Sequence, residues 1–99
     1  MPVFILMTKL SPECMQDAKD RKAVGREWML KVKAACPEVK WLQHYAILGP
    51  YDYMDIYDAP DNDTAHVVSM ISRSEGAVSA ESWQAMPWDE HLQLLETMS

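Results

Sequence analysis

Residues 49–60 read GPYDYMDIYDAP: a Gly-Pro turn, then a segment dense in tyrosine that carries Asp52, Asp55 and Asp58. The residues before it, 38–48, read EVKWLQHYAIL and are rich in the β-branched and aromatic types that suit a pleated surface. Gly49 and Pro50 therefore predict a tight connection, with the flanking segments paired as a hairpin and the second of them running from Tyr51 to Ala59. Side chains alternate along a strand, so Tyr51, Tyr53, Asp55 and Tyr57 are expected on one face and Asp52, Met54, Ile56 and Asp58 on the other. Asp52 and Asp58 sit near the strand ends, where water reaches them. Asp55 has no such outlet, and an unpaired carboxylate in an apolar interior costs several kcal/mol and tends to protonate instead. A hairpin that closes symmetrically on Gly49 and Pro50 places His44 directly across from Asp55; a bulge at the turn would bring Gln43 there instead.

Working outward, residues 2–10 combine Val3, Phe4, Ile5, Leu6 and Met7 without polar alternation, the pattern of a strand covered on both faces. Ser11 then offers a helix cap and Pro12 a first helical residue, after which Val24, Trp28, Val32 and Ala35 recur at spacings that make one amphipathic helix, loosened near Gly25 and ended by Pro37. On the far side of the hairpin, Pro60 and Asp61 open a second helix whose apolar stripe is Thr64, Val67, Val68 and Ile71, with Gly76 just past its end. Residues 77–86, AVSAESWQAM, alternate as a fourth strand, and a short closing helix brings Trp88, Leu92 and Leu95 as candidates to cap the core. The order βαββαβ with right-handed crossovers gives an α+β, ferredoxin-like fold: two helices on one face of a four-stranded antiparallel sheet, first and third strands central, plus the C-terminal helix. Since the helices cover one face only, the doubly apolar first strand calls for a second cover, and a second copy of the chain is the expected source. Residues 1–99 are expected to form a single domain.

Hydrophobic residues make up 48% of the chain and charged residues 24%, the composition of a folded protein. With 15 acidic against 9 basic residues the formal charge is -6, which repels phosphate backbones and anionic membranes, so nucleic-acid and membrane partners are not expected. The apolar run Val3–Met7 is too short for a signal-peptide core or a bilayer span. Cys14 and Cys36 flank the first helix, which as a continuous rod would hold them roughly 33 Å apart, too far for a disulfide; two reduced thiols indicate a cytoplasmic protein.

The stretch LGPYDYMDIYDAPD resembles the signature of the GYD domain family, with Gly49, Tyr51 and Asp52 matching the glycine, tyrosine and aspartate of its name, and the similarity extends from MPVFILMTKL to ESWQAM. The resemblance implies a dimeric α+β barrel in the broad company of antibiotic-biosynthesis monooxygenases, chlorite dismutases and stress-responsive barrel proteins. It implies no particular activity. Asp55 stands where the family more often carries an aliphatic residue.

Within that frame His44 and Asp55 are either a satisfied polar pair in a dimer interface or wet barrel, or a proton-handling pair beside a small aromatic pocket. Asp52 is expected to accept hydrogen bonds from turn amides, with ligand contact as the alternative. Tyr45, Tyr51, Tyr53, Tyr57 and Trp83 are the candidate ligand-contacting aromatics, with Trp41, Tyr45 and Trp83 lining the opposite sheet face or a cleft beneath the helices. His44, His66 and His91 lack the spacing of a metal site, and no cofactor is expected; haem is the alternative, because related barrels use a histidine from this type of scaffold. No nucleophile or phosphate-binding motif occurs. The leading functional expectation is a homodimer that holds a small apolar or aromatic molecule. The alternatives are a cofactor-free monooxygenase or isomerase using His44 and Asp55, and a non-catalytic structural subunit.

Overall fold

The structure, a computed structural model, describes residues 1–12 and 18–98. Strand β1 spans Val3–Leu10, β2 Lys40–Ala46, β3 Tyr53–Asp58 and β4 Ala77–Ala85; helix α1 is described over Ala18–Ala35, α2 over Asn62–Ser74 and α3 over Trp88–Glu96. The sheet order is β2-β3-β1-β4, every pair antiparallel, so β1 and β3 are central as expected. Cys14 lies outside the described residues, while Cys36 is a buried free thiol.

The hairpin is less tight than its Gly-Pro centre suggests. Ile47 donates its amide to the Asp52 carbonyl at 3.0 Å, and strand pairing begins only at Ala46 and Tyr53. Gly49 takes a φ of 149°, a conformation that side chains with a Cβ rarely adopt. The expected register holds: His44 faces Asp55 and Gln43 faces Ile56. A bulge is present, but it falls between Trp41 and Gln43, at the far end of the pair, so it re-aims Trp41 without displacing His44.

Phe4 and Leu6 of β1, Tyr57 of β3 and Ala80 of β4 are buried beneath the helices, where they form one core with Val32 of α1 and Ala65 and Val68 of α2, and Thr8 and Asp55 are buried on the same face. Asp61 caps α2, accepting from the Thr64 amide at 2.8 Å and the Thr64 hydroxyl at 2.7 Å. The buried stripe of α2 is Ala65, Val68, Ser69 and Ser72, one residue out of phase with the expected Thr64, Val67, Val68 and Ile71. Two inward serines explain the difference. Ser69 Oγ lies 2.8 Å from Ser82 Oγ, and Ser72 Oγ donates to the Val68 carbonyl at 3.0 Å while accepting from Trp28 Nε1 at 2.8 Å.

The other sheet face carries Val3, Ile5, Met7, Met54, Ile56, Tyr45 and Trp83 and, among the described residues, has no helix over it. Helix α3 corrects the expectation that it caps the core: it buries none of its residues, and Trp88 is 68% and Leu95 44% exposed. The Cα radius of gyration, 15.0 Å, accordingly exceeds the about 13 Å of a globular chain this size.

Candidate functional site

Asp55 is 7% exposed, and its Oδ1 lies 2.7 Å from Nδ1 of His44 across the hairpin. Burial raises the Asp55 carboxyl above the ordinary carboxylate range, and the hydrogen bond and charge of His44 oppose that rise without cancelling it. His44 itself is an edge-strand residue, its side chain 45% exposed and its ring 5.3 Å from that of Trp41. The pair thus connects a surface imidazole to a buried anion. Both lie on the face of the sheet that α1 and α2 cover.

Asp55 also borders a cleft of about 200 Å³ between the sheet and α1. Trp28, Val24 and Gly25 of α1 roof it; Thr8, Leu10, Tyr53 and Ala77 supply floor and flank; Ser72 and Glu75 close it from the end of α2. Arg21, one turn before Val24, lines it too, with its guanidinium carbon 5.0 Å from the centroid of the Tyr53 ring. The cleft forms where it does because α1 and α2 meet through the Trp28–Ser72 hydrogen bond, and Lys31 on α1 pairs with Glu75 just beyond α2. Beside that group of contacts, Gly25 leaves space: a Cβ built there would meet nothing within 4 Å.

The expected ligand residues divide between two faces. Tyr53 lines the cleft. Tyr57 is fully buried, its hydroxyl 2.7 Å from Ser82 Oγ and pushed by burial up to about 12, so it belongs to the core. Tyr45, Tyr51 and Trp83 are on the open face: Tyr51 donates to Glu81 Oε2 at 2.8 Å and meets the Trp83 ring edge-on, while Tyr45 donates to Gln43 Oε1. Tyr51 therefore departs from the expected face, because β3 starts at Tyr53 and the alternation does not extend back to it. Asp52 is structural in the sense expected but through a different partner, accepting the Leu10 amide at 2.8 Å and so tying the hairpin to the end of β1. Trp41 packs between Trp28 and Tyr57, with centroids 4.9 and 5.1 Å away, beneath the helices.

Sequence reasoning missed Arg21 and Gly25. Arg21 precedes the apolar stripe of α1 and reads as a solvated charge, and Gly25 reads as a flaw in the helix; only their convergence over Tyr53 and Asp55 gives them a role. Among the described residues no three histidine, cysteine, aspartate or glutamate side chains gather as a metal site. None of the three histidines lines the cleft. No described helix is long and apolar enough to cross a membrane.

Residues 4–95 match the GYD domain family. The chain belongs to that family. This GYD chain is 27% identical over 90 residues to a Thermus thermophilus protein named glutamine synthetase and cystathionine beta-lyase binding protein, a match covering 88% of this chain and 90% of that one. Two crystal structures share its fold. TTHA0845 from Thermus thermophilus aligns with a TM-score of 0.56 at 20% identity, over 88% of this chain and 95% of that one. FFRP-DM1 aligns with a TM-score of 0.53 at 19% identity, over 87% and 100%. At these identities the likeness concerns the GYD fold alone.

Proposed function

We propose that the protein is a homodimeric, cytoplasmic binding module whose cleft beneath α1 holds a small, partly aromatic molecule without transforming it. The observation that carries this reading is the cleft itself, an apolar space walled by Trp28, Tyr53, Val24 and Leu10 that ends on one buried carboxylate, Asp55. Such a combination of apolar wall and few polar groups is the usual form of a ligand site. A second copy seated on the open sheet face and on α3 supplies the dimer, since both surfaces leave large apolar side chains exposed.

The His44–Asp55 contact supports a cofactor-free enzyme less well. Proton transfer needs the acid or base within reach of a bound molecule, and here Asp55 borders the cleft while His44 stands behind it. A reading as a structural subunit leaves the cleft unexplained. The name of the Thermus relative favours a competing role for the same surface, docking of another protein on the exposed apolar row of α3 in place of a second copy. A thermal-shift screen of small aromatic compounds tests the cleft: a ligand at a hundred times its dissociation constant stabilises the fold by about 2.7 kcal/mol. Binding that persists unchanged when Trp28 is replaced by alanine, in a chain that still folds, would remove the cleft as the site.

A further inference from the structure

Asp55 and Thr8 both line the cleft, and each is only 7% exposed. Oδ1 of Asp55 meets His44, but Oδ2 makes no hydrogen bond with the described residues, and neither does the Thr8 hydroxyl. Among those residues no sealed side-chain oxygen or nitrogen lacks a partner. These two oxygens are therefore not sealed, and the space that both residues border is the cleft. Buried polar groups are nearly always satisfied, so two bare oxygens in one lining call for a molecule that satisfies both.

Their placement follows from the strands. Thr8 pairs with Tyr53 and Leu6 with Asp55 across β1 and β3, so Thr8 and Asp55 are diagonal neighbours on the helix-covered face. Such neighbours have backbones about 7–8 Å apart, a span that one small molecule covers. The other polar groups of the lining are committed. Glu75 pairs with Lys31, the Ser72 hydroxyl donates to Val68 and accepts from Trp28, and Arg21 stacks on Tyr53 and has a further interaction of its own. The remaining walls are apolar or aromatic, chiefly Val24, Leu10 and the rings of Trp28 and Tyr53.

We propose that the cleft takes a small aromatic amine in its protonated form, with Asp55 as counter-ion and the Thr8 hydroxyl as a second anchor. The inference rests on the reading of the cleft as a binding site and adds the ligand's chemical class. An ionised carboxylate only accepts hydrogen bonds and a hydroxyl oxygen accepts as well as donates, whereas an ammonium brings three donors. The chain's own partner for Asp55 is His44, whose side chain is 45% exposed; it engages Oδ1 and leaves Oδ2 to a ligand. The ring faces suit the same molecule, since a cation close to tryptophan or tyrosine gains a further electrostatic attraction. A formal charge of -6 on the chain draws cations and disfavours anions. The size agrees: a cavity of about 150 Å³ accommodates benzene, and the cleft, at about 200 Å³, admits one ring with a short aminoalkyl arm.

Four probes that share one ring test the assignment: benzylamine, benzyl alcohol, toluene and benzoate. Each is titrated at neutral pH into the isotope-labelled full chain while the Thr8 amide and the Trp28 indole N–H are followed by NMR. A hydrogen bond to a charged group carries enough free energy that benzylamine should bind at least about tenfold more tightly than benzyl alcohol. Asp55→Asn should abolish that preference. Thr8→Val, which keeps the branched shape, should weaken benzylamine about fivefold and leave toluene unchanged. Arg21→Gln should leave benzylamine the tightest of the four. Equal affinities for all four, with shifts at Thr8 and Trp28, would overturn the amine while leaving the cleft as an apolar site. A preference for benzoate, or a benzylamine preference that persists in Asp55→Asn, would overturn it likewise. Silence of both signals with every probe would overturn both readings. Should Asp55→Asn not fold, the order of the four probes on the wild-type chain and on Thr8→Val decides.

Discussion

Asp55 answers the question that its position in a central strand raises. The carboxylate is tolerated because His44 meets it from the edge strand at 2.7 Å and because one side of it borders a cleft rather than closed hydrocarbon. That tolerance is incomplete, since burial still raises its pKa from 3.8. Between 3.8 and the higher folded value the folded chain binds more protons than the unfolded one, so stability falls as pH rises through that window. An asparagine carries no such proton. Asp55→Asn should therefore flatten this part of the pH profile and leave the chain at least as stable as wild type near about pH 7, with urea midpoints from about pH 3 upward as the measurement. A variant markedly less stable than wild type at neutral pH would mean that the ion pair stabilises the fold, against the direction given by burial. The acid and its partner were legible in the sequence because strand alternation and hairpin symmetry suffice to pair them. Arg21 and Gly25 were not, because what distinguishes them is a space between two elements, and no local pattern encodes a space.

At the scale of elements, the sequence located each strand to within a few residues, since β-branched and aromatic runs bounded by Gly and Pro define them well. It misjudged facing where polar side chains turn inward. Ser69 and Ser72 occupy buried positions of α2 because Ser82, Trp28 and the Val68 carbonyl satisfy their hydroxyls, and a hydropathy stripe passes over them. It misjudged α3 for a different reason. Trp88, Leu92 and Leu95 have the spacing of a buried stripe, but a stripe does not say what it packs against. In the structure none of them is buried, so α3 contributes little to the stability of the single subunit. Ending the chain after Met86 should change the unfolding free energy of the isolated subunit by no more than about 0.5 kcal/mol, the range of a surface change, while weakening self-association by at least about tenfold. Circular dichroism melts at low concentration and sedimentation across a dilution series separate the two effects. Collapse of the fold on truncation would show that α3 supports its own subunit.

For the whole molecule, the sheet is a layer with one covered face. Helices α1 and α2 bury Phe4, Leu6, Tyr57 and Ala80 on one side, while Ile5, Met54, Ile56, Tyr45 and Trp83 occupy the other at intermediate or high exposure. A surface of this extent, continued by the apolar row of α3, is of the kind that two-fold self-association covers. The cleft sits on the opposite side of the sheet from that surface, so the proposed ligand binding and the proposed dimerisation would use separate faces of one layer. Sedimentation equilibrium of the full chain at micromolar concentration tests this arrangement most directly. The expected result is a single folded species at twice the 11.3 kDa mass of the chain; a well-folded species at 11.3 kDa, with the open face in water, would contradict the proposed dimer.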